Sequence, residues 1–185
     1  MNCIEQISEL LDRVPRPPED SIPSGVTANE IAKFEERTGI KLPFMLRSWL
    51  SLTNGPCVGP GGFYGIHPLR SYLDIEEFLG RFPVWMTRQW IPVAGDGCGN
   101  HYIIPTQNEF GLGYPVIFID MGLAADSPSF LVASDLAHFI VGVLRKEFGD
   151  TGWPFKREIT LEFDPRISDY HTVKFPWGYP QGNRI

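Results

Sequence analysis

Four side chains able to do chemistry, Asp96, Cys98, Asn100 and His101, fall on one glycine-rich stretch between Gly95 and His101. Such groups serve as bases, nucleophiles or metal ligands once a fold makes them converge. Asp96 offers a general base or a cation ligand, Cys98 a thiolate nucleophile, and His101 a second base, with Asp120 further along the chain. Each also has a structural role to play. Aspartate at a turn commonly accepts from its own following backbone amides, a histidine in an apolar run packs as a half-buried strand residue, and a small thiol fills space behind a turn. The pattern therefore predicts no catalytic residues. An enzyme built on this turn would need Asp96, Cys98 and His101 in one pocket. The Gly95, Gly97, Gly99 spacing is not a phosphate loop, because a strand follows it where a helix amino terminus and a lysine are required.

The elements that must position this stretch are strands. Trp90 to Val93 and His101 to Ile104 carry the aromatic and β-branched residues of a pleated, half-buried surface, and the three glycines permit positive φ in the turn between them. Pro115 to Asp120 is a nearly continuous apolar run, expected in the middle of a sheet, with Phe130 to Ala133 beside it. Ahead of the hairpin, residues 2–13 place Ile4, Ile7, Leu10 and Leu11 at helical spacing, and Pro15 ends the pattern. A proline-rich connector leads to Thr27 and Glu30, a capping box opening a helix that Gly39 closes. Pro43 then suits the first turn of a helix bearing Leu46, Trp49 and Leu50, with Asn54 and Gly55 as its stop. Phe63 to Pro68 reads as a short strand, and Asp74 as the cap of a short helix with Glu77 completing a capping box. Ser134 is the expected cap of the longest helix, running to about Phe148. Beyond residue 150, Trp153, Phe155, Phe163, Tyr170, Phe175, Trp177 and Tyr179 alternate with prolines; Glu158 to Phe163 alternates like a strand, and the remainder is an aromatic tail.

Composition narrows the class. The chain has 185 residues, 43% apolar and 21% charged, enough for one globular domain with a sizeable core. No apolar run approaches the roughly 18 residues of a membrane span, and the amino terminus lacks the basic and apolar regions of a secretory signal, so the expected address is cytoplasmic. Cys3, Cys57 and Cys98 are three, widely spaced and without a Cys-x-x-Cys pair, against a disulfide framework or structural zinc. No cofactor is indicated, and His67, His138 and His171 stand apart in the sequence. The formal charge is −6. Residues 1–80 hold 11 acids and 7 bases, residues 81–149 hold 6 and 4, and residues 150–185 hold 5 and 5, so acidity grades downward from the amino-terminal part. Without a basic patch to displace counterions, nucleic acid is disfavoured and a basic protein partner fits better. The doublets Glu35-Glu36 and Glu76-Glu77 are candidates for facing such a partner, and Trp153, Trp177 and Tyr179 for anchoring it, although solvated helix surface and core wrapping account for them too.

The order of these residues resembles the SUKH superfamily, which includes a fungal cell-wall-synthesis regulator and many bacterial immunity proteins. The resemblance is carried by Leu42-Pro43 followed by Leu46, Trp49, Leu50 and Asn54-Gly55; by Ile91 to Val93 with Gly95 to Gly99; by Pro115 to Asp120; and by Ser134 to Ile140. It spans about residues 27–148, leaving residues 1–26 and the extension at 150–185 outside. It implies an α+β fold with two leading helices, an antiparallel sheet and a closing helix. The function implied is a non-enzymatic immunity protein, a monomer or weak homodimer that occludes the toxin domain it is paired with, often a nuclease. A scaffold or regulatory module without a toxin partner is the alternative, and a small hydrolase ranks third. The candidate binding residues are Glu76, Glu77, Asp96, Trp153, Trp177 and Tyr179.

Overall fold

The computed structural model describes residues 3–17 and 21–178. Among these are seven α-helices and a four-stranded antiparallel sheet, so the fold is α+β. None of the helices is long and apolar enough to cross a membrane.

Helix α1 (Cys3–Arg13) buries Ile7 and Leu11. In α2 (Ala28–Thr38) the capping box forms as expected: the Glu30 amide donates to Thr27 Oγ1 at 3.3 Å and the Thr27 amide to Glu30 Oε2 at 2.7 Å. Gly39 closes the helix in a left-handed conformation, its amide donating to the Glu35 carbonyl. Pro43 precedes α3 (Phe44–Leu52) as its N-cap and does not enter the first turn. Asn54 does more than stop that helix. Its side chain donates to the Ile66 carbonyl at 2.9 Å and accepts from the Ile66 amide at 2.8 Å, mimicking a strand partner for the following loop.

That loop is not the strand expected over Phe63–Pro68. Only isolated bridges occur, Phe63 with Ala94 and Gly65 with Asp74. The glycines at 61, 62 and 65 hold no side chains to fill a sheet face, and the loop turns away at His67, whose φ is 44°. Its value lies in where it sits. The Tyr64 amide donates to Val93 O at 2.9 Å and the Gly95 amide to Gly62 O at 3.1 Å, closing one edge of the sheet. In α4 (Ile75–Arg81) Asp74 caps through the Glu76 amide at 3.0 Å, and the reciprocal bond from Glu77 does not form. Pro83 then starts an unexpected short helix, α5 (Pro83–Thr87).

The strands run β1 (Trp90–Gly95), β2 (His101–Pro105), β3 (Val116–Ile119) and β4 (Phe130–Ala133), in that order across the sheet. A bulge between Pro92 and Ala94 accommodates the proline in β1. The apolar run of β3 lies inside the sheet, as its composition requires. The closing helix α6 (Leu136–Glu147) is capped by Asp135, which accepts from the His138 amide at 2.9 Å. Ser134, the expected cap, instead turns its hydroxyl to Asp164.

The segment expected as a strand at 158–163 is a helix, α7 (Arg157–Phe163). Thr160, an outward position in an alternating strand, is 0% exposed while Ile159 is 38% exposed, so packing of a helical face overrode a six-residue alternation. Residues 164–175 then cross the molecule as a strap, and the Leu131 amide of β4 donates to Lys174 O at 2.8 Å. One buried cluster runs from Ile7 in α1 to Phe175 in the strap, with Trp49, Trp85 and Trp90 at its centre. The tail is therefore built into the core. Indole packing shows how closely. Trp153 lies against Gly142 of α6, where a Cβ would come within 2.7 Å of the ring, so only glycine admits it.

Candidate functional site

The turn between β1 and β2 uses its own chemistry. Asp96 Oδ1 accepts from the amides of Cys98 at 2.7 Å and Asn100 at 3.0 Å, and Oδ2 from Asn100 Nδ2 at 2.7 Å. Gly97 and Gly99 take the positive φ the turn needs, at 80° and 94°; Gly95 does not, being a β1 residue. Asn100 Oδ1 accepts from the Met121 amide at 2.9 Å, and Asp120 Oδ1 from the Gly122 amide at 2.8 Å. The carboxylates of Asp96 and Asp120 thus shape two adjoining loops, while Cys98 is exposed.

His101 points into a cage of rings. Phe78 lies 4.8 Å from its centroid, Trp85 5.2 Å, Phe82 5.6 Å and Tyr64 5.8 Å. The Tyr64 hydroxyl meets Nδ1 at 2.7 Å. At 6% exposure, burial disfavours the imidazolium and pulls the histidine down to about 4, against which the Asp96 charge works only weakly. Burial likewise raises the Tyr64 phenol and pushes Tyr102 up to about 12. A histidine this acidic is neutral at physiological pH, suited to packing and accepting a hydrogen bond and unsuited to delivering a proton.

Folding assembles a second cluster from a histidine that stands alone in the sequence. His67 Nδ1 lies 3.0 Å from Asp74 Oδ2, and Nε2 lies 2.7 Å from Glu76 Oε2 and 3.0 Å from Arg37 Nη2. Arg37 grips Glu76 with two bonds of 2.9 and 2.8 Å, and this pairing holds the Glu76 carboxyl below the usual carboxylate range. His67, Asp74 and Glu76 offer ligand atoms within 4.8 Å of one another, a spacing a metal ion could bridge, but the Arg37 guanidinium already supplies the positive charge there.

The remaining candidates are dispersed. Glu77 is exposed on α4 and, with Tyr72, Phe78 and Arg81, lines a surface depression of about 360 Å³. Glu35 is buried. Burial opposes its ionisation, but the Leu42 amide, Lys41 and Arg47 outweigh it and hold the carboxyl low; Glu36 beside it is exposed. Trp153 is buried with its Nε1 unpartnered, walling an open cavity of about 490 Å³ together with Arg145, Lys146, Ile159 and Phe163. Trp177 is half-buried and stacks on Phe175 at 5.0 Å, and Tyr179 lies outside the described residues.

A third cluster joins the tail to α6 and went unnoticed in the sequence. Asp164, fully buried, accepts from the Ser134 amide and hydroxyl, each at 2.6 Å. His138 Nδ1 sits 2.9 Å from Asp135 Oδ1 and 4.0 Å from Asp164 Oδ1. The bond to Asp135 raises His138 above its usual value. The one signal in the sequence was the Asp135–His138 spacing of a helix cap.

No curated protein matches the chain. The model of the SMI1/KNR4 family (SUKH-1) matches residues 25–142, from the connector before α2 to the second turn of α6, and the chain belongs to that family.

Proposed function

We propose that this protein is a non-enzymatic binding module, an immunity protein that neutralises a toxin domain by covering its basic cleft. Family membership carries the reading. Charge distribution supports it: between Arg88 and Arg145 there is no lysine or arginine, while Asp96, Glu109, Asp120, Asp126 and Asp135 are all acidic. Glu109 is paired with Arg88 and Asp135 with His138, so steering of a cationic partner rests on the carboxylates left unpaired on this stretch. The partner needs no chemistry from this chain, and Asp96 and His101 are committed to turn and core. Glu77 and Asp126, both exposed, are available to meet it.

The test is capture of the tagged full chain from its own cells, identification of bound proteins by mass spectrometry, and binding kinetics with the captured partner. Recovery of a toxin-like carboxy-terminal domain, with association slowed up to about tenfold by Glu77→Lys and Asp126→Lys together, is the expected result. Recovery of signalling or housekeeping proteins alone replaces immunity with the scaffold reading.

A further inference from the structure

The two outer strands of the sheet are closed by different means. At β1 the loop 62–65 supplies backbone bonds from within the matched family region. At β4 the cover is the strap at 164–175, which lies beyond that region. The strap is fastened at separate points: Tyr170 donates to the Ser134 and Leu112 carbonyls, both at 3.1 Å, Thr172 to the Phe110 carbonyl at 3.3 Å, and Lys174 O accepts from Leu131. Its charged residues are Asp164 and Arg166 at its start, Asp169 beside Tyr170 and Lys174 near its end, and the buried one is Asp164. Asp164, with no exposure to water, faces Ser134; His138 Nδ1 lies 4.0 Å from it, and Arg166 lies 3.9 Å from the neighbouring carboxylate of Asp135. The His138 ring also meets the edge of Phe163 at 5.5 Å.

We propose that the strap, which Ile167, Tyr170, Val173 and Phe175 keep in the core, opens locally at the β4 edge and that His138, held between Asp135 and Asp164, is its pH-sensitive catch. A buried carboxylate needs a positive partner or enough donors. Protonated His138 serves both Asp135 and Asp164; neutral His138 leaves them to Arg166 and the Ser134 donors. Because Asp135 raises the histidine above 6.5, its contribution is complete below that pH and is lost as pH rises through the higher folded value. The strap therefore holds most firmly in mild acid and loosens in alkali. When it opens, the Leu131 amide loses its bond to Lys174 O and meets water.

Hydrogen exchange of the full chain between pH 6 and 9, corrected for intrinsic exchange, reads this directly. Leu131 protection should fall about three- to tenfold across the range, while the Tyr64 amide at the β1 edge keeps its protection. His138→Gln should flatten the Leu131 response. NMR titration of the wild-type His138 ring, which needs no variant to fold, should give a midpoint above 6.5. A midpoint at or below 6.5, parallel behaviour of Leu131 and Tyr64, or an unchanged response in His138→Gln overturns the proposal.

Discussion

His101 and His138 are the same residue in opposite surroundings. His101 meets four aromatic rings, one of them the Tyr64 phenol, and burial pulls it down to about 4. His138 meets two carboxylates, and the nearer one raises it. Rings and dry space penalise the charged imidazole; carboxylates reward it. Acid should therefore strain the junction of the sheet with α4 and α5, and alkali the junction of the tail with α6. The pH of greatest stability is set between two regions that share a core.

The largest expected effect comes from acid. His101 stays neutral in the fold down to about 4 but takes a proton near 6.5 when unfolded. The unfolded chain binds more protons in that window, so stability falls as pH drops from 6.5 to 4 and this contribution is flat below it. At 1.36 kcal/mol per pH unit the loss reaches about 3 kcal/mol by pH 4. The carboxylates of Glu35, Glu76 and Asp135, all held low, also lose stability in acid. The discriminating quantity is thus the difference between wild type and Tyr64→Phe/His101→Phe in urea unfolding at pH 7, 5.5 and 4. Equal losses in both proteins would show that the cage does not exclude the charge.

A smaller effect sharpens the same point. Tyr64→Phe leaves His101 Nδ1 buried beside a ring with no hydroxyl, and should cost about 1–2 kcal/mol at pH 7. The double variant removes both polar partners and keeps two aromatic volumes, so it should be more stable than Tyr64→Phe alone. Urea midpoints of the wild type and the two variants at one pH decide this. A double variant less stable than Tyr64→Phe would mean that His101 contributes more through packing than through its bond to the phenol.

How much of this was readable beforehand depends on distance along the chain. Features set within one turn were legible: the Thr27–Glu30 box, the Gly39 cap, and an aspartate that caps its own turn at 96. The strands were found from apolar runs because β3 is interior and β4 pairs beside it. The α7 segment was not, since Ile159, Leu161 and Phe163 alternate over a stretch too short to separate period two from a helical face. The clusters were least legible. Tyr64 and His101 are 37 residues apart, and Ser134 and Asp164 are 30 apart; neither pairing has a local signal. Ser134 followed by Asp135 offered two good caps, and only the position of the tail decided that Asp135 takes the helix and Ser134 the buried carboxylate.

The His67 cluster separates the identity of a partner from its burial. His67, like His138, lies between two carboxylates, but its side chain is 60% exposed against 31% for His138. Water screens charges at such a site, and holding Arg37, His67 and Glu76 in one geometry costs side-chain entropy, so the gain from their contacts is largely offset. His67→Gln should lower stability by less than about 1 kcal/mol despite the short distances, Arg37→Ala should have only a small effect, and both losses should shrink further in 0.5 M salt. Urea unfolding at low and high salt measures both. A loss well above 1 kcal/mol would show that the partners alone decide what a histidine contributes here. Small losses, together with a larger effect of His138→Gln at pH 6, would assign the difference to the water excluded where the strap meets α6.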